Sequence, residues 1–573
     1  KMEKKISIAN RQVILNYNKA YPKNREALLK SSTFRKFIEY FIRVEKDLDH
    51  AVYMYLTCDE KYSIEEAAQK FCTFLRLLAV FEYQELAESA DYGTEYTRDR
   101  NALGNVIEEI YRGWRSLQRF GFMNSLNTPE FGINTLVARD SDMNDLILRT
   151  YRLFEEKIQG RMNRVYRQVQ AGTNACFSVH MPKEGFNKDY AGLKDIPVID
   201  CVMLRTPMIL HPKSSKRTGM FTKSEINPME YLAVDPNEWF CLPLKVGKLL
   251  CYVYFNTKYT ASALSMANLF ELADMDESEK RPDLLMIFGN EDGKNETVYY
   301  HDEKNGIWVG CISDDPRVEY FGYLKKMALT LHNLAMMEKG WLPIHGAMVN
   351  IVLKDGRKKG IVLMGDSGAG KSESIEALKH VGKDLIKSVE VVFDDMGTIH
   401  MENGVPYGQG TEIGAFIRLD DLDPGTPYRD MDRSVFFAPE NPNSRMVVPA
   451  ATYEFITENH PIDLFCYANN YTDAIGMKEL PVEEVKETCK AGTRMALGTT
   501  QEVGLSKTYF ANPFGPMQEQ ELCEPLIDTV FEAMKNDGVY MGEIYTHLGF
   551  DKSNRQGIED AAKELLNFIT KEE

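Results

Sequence analysis

The chain has 573 residues, of which 44% are hydrophobic and 27% are charged, and its formal net charge is −17. This length and composition are typical of several folded domains and exclude a largely disordered protein. The negative charge argues against non-specific binding to nucleic acid, because such binding needs a basic surface that displaces counterions from phosphate.

Cysteine usage and apolar runs favour a cytoplasmic protein. Ten cysteines are scattered along the chain, without a Cys-x-x-Cys pair or a Cys/His cluster at zinc spacing. We therefore expect free thiols in a reducing cytoplasm. We also expect no membrane segment, because no run of about eighteen apolar residues occurs and no apolar stretch follows the charged start.

The first 180 residues carry apolar side chains at helical spacing and few strand signals. This pattern predicts a helical N-terminal domain over 1–180, and Ser63-Ile-Glu-Glu66 predicts a capped helix start. Three stripes carry the prediction: Phe34, Phe37, Ile38, Phe41, Ile42 and Val44; Ala67, Phe71, Phe74, Leu75, Leu78 and Phe81; and Leu146, Leu148, Tyr151, Phe154 and Ile158. Such stripes are typical of a core, so a lid, an oligomerisation surface and a module for a protein partner all stay open.

Short strand-like runs predict a mixed α/β domain over 181–315. Two of them flank Glu303-Lys-Asn-Gly306 and predict a hairpin. The stretch from Arg205 to Lys223 contains five Lys or Arg residues and no acidic residue. It is either a solvated loop or a site for a small anionic substrate.

The sequence then predicts a phosphate-binding loop. An apolar strand, Ile361–Met364, leads into the pattern G-x-x-x-x-G-K-S/T, and a helix follows from Glu373. In such a loop, backbone N–H groups surround the phosphates of a nucleotide, the lysine neutralises them and the hydroxyl binds the metal ion. The candidate cofactor-binding residues are Gly365, Asp366, Ser367, Gly368, Ala369, Gly370, Lys371, Ser372 and Glu373.

Other chemically capable residues flank this loop in a fixed order. Upstream come Tyr320-Phe-Gly-Tyr-Leu-Lys-Lys326 and, nineteen residues after Lys326, His345. Downstream, a predicted strand ends in Asp394-Asp395. An acid at the end of a strand beside a phosphate loop is where P-loop enzymes hold their metal ion.

The ordered set resembles the phosphoenolpyruvate carboxykinases. It includes Tyr320 to Lys326, Pro-Ile-His345, the loop, the paired aspartates, and Asn443-Ser-Arg445 with a following proline. The loop wording Gly-Asp-Ser-Gly-Ala-Gly-Lys-Ser-Glu is similar to that of the related HPr kinase/phosphorylases. The resemblance covers residues 316–515, with a weaker extension back to about 195. It implies an α/β fold with a mixed-sheet, P-loop catalytic domain over 316–515, and we expect a helical tail over 516–573.

The resemblance also implies roles for individual residues. Lys326, His345 and Asp395 would bind Mn²⁺, and Ser372 would bind Mg²⁺ at the ATP with Asp394 nearby. Lys326 can act as a ligand only when neutral, so its pKa must be depressed. The implied phosphate and substrate contacts are Lys371 and Arg445 on the transferring phosphate, Arg494 near the adenine, and Tyr320, Arg418 and Arg205 around the substrate.

The departures from the family leave three functions open. Asp366 and the Lys-Ser-Glu ending differ from the carboxykinase loop, and Arg205-Thr-Pro lacks the rest of the motif that binds the substrate carboxylate. The first function is a carboxykinase acting on oxaloacetate. The second is a kinase for a hydroxyl of a small molecule or protein, with Asp394 or Asp395 as base. The third is an ATP-sensing regulatory protein.

Overall fold

The computed structural model describes residues 6–89, 95–125, 133–163, 170–182, 187–366, 368–419, 430–438, 443–497, 503–546 and 556–572. Helices and mixed sheets make the protein α/β, which confirms the predicted class. The chain forms two compact units. The first comprises 1–182, 195–208 and 235–240, and the second comprises 183–194, 209–234 and 241–573. No helix in the described ranges is long and apolar enough to span a membrane.

The helices of the first unit confirm most of the predicted stripes, but Phe81 is 42% exposed because it lies just after the last residue of its helix. Phe37, Ile38, Phe41 and Ile42 are buried on one helix, and Ser63 caps another through the predicted capping box. The helices are α1 (Arg25–Lys30), α2 (Ser32–Leu48), α3 (His50–Leu56), α4 (Ile64–Val80), α5 (Tyr83–Glu88), α6 (Arg100–Ser116) and α7 (Ile133–Gln159).

The first unit also contains strands, which the prediction of a helical domain over 1–180 did not include. β1 and β2 form a hairpin whose two central residues, Asn10 and Arg11, have φ of 54° and 61°. Glycine usually occupies the second of these left-handed positions. Because Arg11 occupies it here, the sequence lacks the usual signal of a hairpin turn. The strands, paired in chain order, are β1 (Ile6–Ala9), β2 (Gln12–Asn16), β3 (Gln118–Asn124), β4 (Ala175–His180) and β5 (Val198–Leu204).

The second unit begins with the strands of the predicted mixed segment. The predicted hairpin around Glu303–Gly306 is confirmed, because the strands on either side pair in antiparallel fashion. Met208, Trp239 and Phe240 belong to the first unit, and the elements between 208 and 313 are β6 (Met208–Leu210), β7 (Thr222–Lys223), β8 (Trp239–Val246), β9 (Leu249–Asn256), α8 (Thr260–Ser265), β10 (Glu271–Leu272), β11 (Leu284–Asn290), β12 (Thr297–Asp302) and β13 (Ile307–Ser313).

The remaining elements of the second unit build three sheets. The largest has the strand order β22-β18-β17-β14-β15-β23-β27-β24, with β16 also paired to β14. The strands are β14 (Leu342–Leu353), β15 (Lys358–Met364), β16 (Ile386–Phe393), β17 (Met396–Glu402), β18 (Val405–Gly410), β19 (Gly414–Arg418), β20 (Val435–Phe437), β21 (Arg445–Pro449), β22 (His460–Pro461), β23 (Leu464–Asn469), β24 (Met477–Glu479), β25 (Thr493–Leu497), β26 (Val503–Lys507) and β27 (Tyr540–Tyr545). The helices are α9 (Phe321–Glu338), α10 (Lys371–Val381), α11 (Tyr453–Thr457), α12 (Val482–Ala491), α13 (Gln520–Asn536) and α14 (Gln556–Thr570).

Helices cover both faces of the largest sheet. On one face, alternate residues such as Leu363 and Cys466 pack with Leu378 of α10 and Leu565 of α14 in one buried cluster. On the other face, the ring of Phe465 meets that of Phe531 of α13, with 5.2 Å between their centres. Burial on both faces explains why the central strands have near-continuous apolar sequences.

The tail after residue 515 is not only helical, which corrects the prediction. The tail contains β27, which lies between β23 and β24 in the largest sheet. β27 is parallel to β23 and antiparallel to β24. The Tyr-Met-Gly-Glu-Ile-Tyr run has a glycine in its centre and gives a weak strand signal. That glycine is required, because a Cβ at Gly542 would lie 1.9 Å from the Lys478 carbonyl oxygen.

The close contact between Gly492, which ends α12, and the backbone at Thr508 can be tested directly. Gly492 has φ of 55°, and a Cβ there would lie 1.8 Å from the Thr508 carbonyl oxygen. We expect Gly492→Ala to lower the free energy of unfolding by about 3 kcal/mol or more, since it adds a backbone clash to left-handed strain. The control is Gly404→Ala, at φ of 78° with nothing within 4 Å, which should cost about 1 kcal/mol. Equal shifts of the urea midpoint in Gly492→Ala and Gly404→Ala would contradict the close contact between Gly492 and Thr508.

Candidate functional site

The predicted phosphate loop joins β15 to α10 and has the backbone that its glycines permit. Gly368 and Gly370 have φ of 82° and 97°, and a Cβ on Gly370 would lie 2.6 Å from the Thr546 side chain. Lys371, the first residue of α10, is buried, whereas Ser372 and Glu373 are exposed. Ser367 lies outside the described residues. The N–H groups at the start of this eleven-residue helix favour an anion.

Three parallel strands hold this loop at their carboxyl ends. The loop follows β15, and Asn470, after β23, donates from Nδ2 to the Gly368 carbonyl oxygen at 3.0 Å. Thr546, after β27, donates from its hydroxyl to the Ala369 carbonyl oxygen at 2.9 Å. The carboxyl ends of parallel strands are the usual ligand-binding edge of an α/β sheet.

The register of the sheet fixes His345 beside the loop. β14 lies between β15 and β17, and its His345 carbonyl oxygen accepts from the Gly365 N–H at 2.9 Å. On the other side, Gly346 N–H donates to the Asp395 carbonyl oxygen at 3.0 Å. A Cβ on Gly346 would lie 2.3 Å from the Leu363 carbonyl oxygen, so glycine is needed for this close approach.

The three residues predicted to bind Mn²⁺ lie together. Asp395, in the turn between β16 and β17, is 2.9 Å from Lys326 Nζ of α9 and 3.1 Å from His345 Nε2. Its Oδ2 also lies 3.0 Å from Lys325 Nζ. One carboxylate therefore joins a helix and a strand that are separate in the sequence.

The charges around Asp395 oppose the effect of burial on its pKa. Burial raises the pKa of this carboxyl, but Lys325 and Lys326 lower it more strongly, and the result is well below the usual range. Burial lowers the pKa of Lys326, Asp395 raises it, and repulsion from Lys325 adds to the lowering, which prevails. Lys326 is thus the amine of the pair that is easier to neutralise, as a ligand must be.

Two residues of this cluster were missed as site residues. The sequence pattern assigns no role to Lys325, but its side chain is 3% exposed and lies 3.4 Å from Glu412, which is also buried. Burial raises the pKa of Glu412 to about 7, although Lys325 lowers it. Glu412 follows β18 without a motif, so only the fold identifies it.

The hydrogen bonds of His345 set the tautomer of its ring. Nδ1 lies 3.0 Å from the Ala511 carbonyl oxygen, which can only accept, so Nδ1 carries a proton. Nε2 then faces the carboxylates of Asp395 at 3.1 Å and Asp366 at 3.5 Å. A lone pair facing two carboxylates is unfavourable, so either a proton or a metal ion belongs between them.

A strained turn supplies the carbonyl that orients this ring. Phe510 and Ala511 have φ of 51° and 50°, in the left-handed region that side chains other than glycine rarely adopt. Phe514 follows, and its ring packs edge-on to His345 at 6.2 Å and beneath Lys326 Nζ at 4.7 Å. Strained backbone of this kind concentrates at functional sites.

A second aromatic ring brings the predicted substrate residues together. Phe416 lies 6.1 Å from Tyr320, 5.4 Å from the Arg445 guanidinium and 5.6 Å from Lys325 Nζ. Gly322 leaves space for Tyr320, because a Cβ there would lie 2.3 Å from the tyrosine ring. Within the described ranges, Arg445 Nε is buried without a hydrogen-bond partner.

Arg445 also lies opposite Arg418 in the antiparallel pair of β19 and β21. Like charges directly opposite one another destabilise a sheet, so each of the two guanidinium groups needs a compensating contact of its own.

The other predicted residues divide between the two units. Arg494 lies in the site, with Nε 3.2 Å from Asp366 Oδ2, and Asp394 is exposed next to Asp395. Arg205 belongs to the first unit, where its guanidinium pairs with the buried carboxylate of Asp140.

Comparison of the sequence with protein-family models gave no match, and comparison with curated proteins gave none either.

The paired aspartates provide a matched test of the charge cluster. Asp395→Asn leaves Lys325 and Lys326 in the interior with less compensating charge, so we expect the free energy of unfolding to fall by about 2 to 4 kcal/mol. Asp394→Asn, at the exposed neighbour, should change it by less than about 0.5 kcal/mol. Urea denaturation of both variants without added metal measures the difference. Equal destabilisation would show that Asp395 does not hold the cluster.

Proposed function

We propose that this chain is an ATP- and divalent-metal-dependent phosphoryl transfer enzyme that resembles the phosphoenolpyruvate carboxykinases. The reaction would break the bond to the leaving carboxylate of oxaloacetate, release CO₂ and leave an enolate. The enolate oxygen would then attack the γ-phosphorus of ATP, giving phosphoenolpyruvate and ADP. The convergence of Lys326, His345 and Asp395 beside the phosphate loop is the observation that carries the proposal.

The donor set fits a divalent metal ion. A lysine of lowered pKa, an imidazole with Nδ1 already bound, and an ionised carboxylate offer two nitrogens and one oxygen. Nitrogen donors suit Mn²⁺ better than Mg²⁺, which prefers oxygen ligands. When bound, the ion would polarise substrate oxygens and neutralise developing charge.

The loop supports binding of the phosphate donor. Backbone N–H groups around Gly368 and Gly370 and the amine of Lys371 would hold the phosphates of ATP, and the Ser372 hydroxyl would hold Mg²⁺. Arg445, whose Nε lacks a protein partner in the described ranges, is available to neutralise the transferring phosphoryl group. Phosphoryl transfer needs mainly such positioning and charge.

A kinase that phosphorylates a hydroxyl is the second candidate. Asp394 favours it, because its exposed carboxylate adjoins the metal-binding set and could accept the hydroxyl proton. The similarity of the loop sequence to that of the HPr kinases supports the same alternative. A protein acceptor would also give the first unit a role as a partner-binding module, and an ATP sensor remains the third candidate.

The deciding experiment is a coupled assay of ADP formation with Mn²⁺ and Mg²⁺. ATP is offered with oxaloacetate, with a panel of hydroxyl acceptors, or with no acceptor. When pyrophosphate replaces ATP as the phosphate donor, release of inorganic phosphate is followed instead of ADP. Phosphoenolpyruvate formed with oxaloacetate alone would support the carboxykinase. Turnover with a hydroxyl acceptor would replace it by the kinase, and ATP binding without turnover would replace it by the sensor.

Lys371→Ala tests the phosphate loop. We expect it to abolish ATP turnover, because the buried amine neutralises the phosphates, while the circular dichroism spectrum and the unfolding midpoint change little. Lys379→Ala, on the exposed side of the same helix, is the control and should keep full activity. An active Lys371→Ala variant would overturn the assignment of the loop.

His345→Ala tests the metal set. Removing one nitrogen donor should lower Mn²⁺ affinity by about 10-fold or more, and activity should no longer respond to Mn²⁺. Equilibrium dialysis measures the affinity independently of turnover. The control is His380→Ala, because His380 is an exposed residue of α10. This variant should bind Mn²⁺ as the native protein does. Unchanged Mn²⁺ binding by the His345 variant would remove this residue from the site.

A further inference from the structure

Three carboxylates of the first unit meet where α2, α3 and α6 come together. Glu45 lies in the last turn of α2, Asp49 joins α2 to α3, and Glu109 lies on α6. One carboxylate oxygen from each of these residues lies within 4.8 Å of the other two. Ionised carboxylates this close repel one another, so a proton or a cation between them is favoured.

The apolar core of the first unit forces this meeting. Phe41, four residues before Glu45, lies on the same face of α2, and Gly113, four residues after Glu109, lies on the same face of α6. A Cβ on Gly113 would lie 2.9 Å from the Phe41 ring, so the two helices approach closely there. The ring of Phe41 is itself part of the buried core. Packing one turn away therefore brings the two glutamates together against their mutual repulsion.

Backbone hydrogen bonds hold Asp49 in place. Its N–H donates to the Glu45 carbonyl oxygen at 2.9 Å, and its Oδ1 accepts from the Val52 N–H at 3.4 Å, which caps α3. The cap uses one oxygen of a carboxylate that has two. Asp49 can therefore cap α3 and bind a cation at the same time.

The buried carboxylate of Glu45 is the feature that points to a ligand. Glu45 is only 6% exposed, and its Oε2 is buried without a hydrogen-bond partner in the described ranges. A buried oxygen that has lost water and gained no partner is costly for the folded protein. Asp49 and Glu109 cannot donate to it when they are ionised, because an ionised carboxylate only accepts. A bound cation would supply the missing contact.

Arg112 balances only part of the negative charge. Its Nη2 donates to the Glu109 carboxylate from a side chain that is 64% exposed, so the guanidinium lies on the solvent side of the cluster. Hydrogen bonding to Glu109 raises the pKa of Arg112, and the charges of Glu45 and Asp49 add to this. One guanidinium among three ionised carboxylates leaves a net charge of −2. A divalent cation would neutralise that charge.

We propose that Glu45, Asp49 and Glu109 bind a divalent cation, and that this cation is Ca²⁺. All three donors are carboxylate oxygens, which select hard cations over Zn²⁺ or Cu²⁺. Their separations, within 4.8 Å, are at most about twice a Ca–O distance, so one ion can reach all three. Mg²⁺ usually keeps several waters and takes one or two carboxylates, so this set suits it less. The site lies in the first unit and does not depend on phosphoryl transfer in the second.

Isothermal titration of the full chain with Ca²⁺, after removal of metal by a chelator, tests the site. Glu45→Gln keeps the shape of the side chain and removes its charge. We expect it to bind Ca²⁺ at least about 10-fold more weakly than the native protein. Asp49→Asn should show a similar loss, and it keeps the helix cap because asparagine caps as well as aspartate. The control is Asp47→Asn, an exposed position of α2 that does not face Glu45 or Asp49, which should bind Ca²⁺ normally.

Thermal unfolding separates a binding site from structural support. In chelator, Glu45→Gln should unfold at the same temperature as the native protein or higher, because a buried charge without a partner has been removed. Ca²⁺ should raise the unfolding temperature of the native protein and of Asp47→Asn, but not that of Glu45→Gln. A lower unfolding temperature of Glu45→Gln in chelator would show a structural carboxylate and overturn the proposal.

The titrations provide further outcomes that would reject the site. Equal Ca²⁺ binding by the native protein and Glu45→Gln would do so, as would saturation of the native protein only above about 1 mM Ca²⁺. Tighter binding of Mg²⁺ than of Ca²⁺ would overturn the choice of ion. His345→Ala should keep the Ca²⁺ site, and Glu45→Gln should keep Mn²⁺ binding in the second unit. Loss of Ca²⁺ binding in His345→Ala would assign the ion to the second unit instead.

Discussion

The carboxylate of Asp395 is the group on which the site of the second unit depends. It lies between two lysines of α9 and a histidine of β14, so one negative charge holds three basic side chains in place. Desolvating several charges together is costly, and the protein accepts that cost only where each charge has a partner. Glu412 supplies part of the remaining compensation by approaching Lys325. The cluster is therefore a structural unit as well as a candidate catalytic one.

The sheet explains why these residues meet. β14 is paired on one side with β15, which leads to the phosphate loop, and on the other with β17, which follows Asp395. A shift of one residue in either register would turn the His345 side chain to the opposite face. Register is well defined here because alternate residues of β14 and β15 belong to a buried cluster. The apolar core thus sets the distances in a polar site.

The part of the site that follows a local pattern could be predicted from the sequence. The loop from Gly365 to Ser372 is contiguous, and the order of Lys326, His345 and Asp395 around it is distinctive. Glu412 and Lys325 could not be identified, because their importance arises from contacts between distant segments. β27 was missed for the same reason, since its partner β23 lies more than seventy residues earlier. The hairpin of β1 and β2 could not be predicted either, because Arg11 adopts a backbone conformation that glycine usually adopts in such turns.

The hairpin of β25 and β26 is connected to the imidazole of His345 from both ends. Within β25, Arg494 contacts Asp366, which faces Nε2; after β26, the carbonyl oxygen of Ala511 in the strained turn accepts the proton of Nδ1. Rotation of the ring would break contacts on both sides. Little side-chain entropy therefore remains to be lost when a ligand binds to Nε2, and the protein has met this cost during folding. The affinity of His345 Nε2 for a ligand would therefore depend on the hairpin of β25 and β26, although this hairpin contributes no donor atom to the Lys326, His345 and Asp395 set.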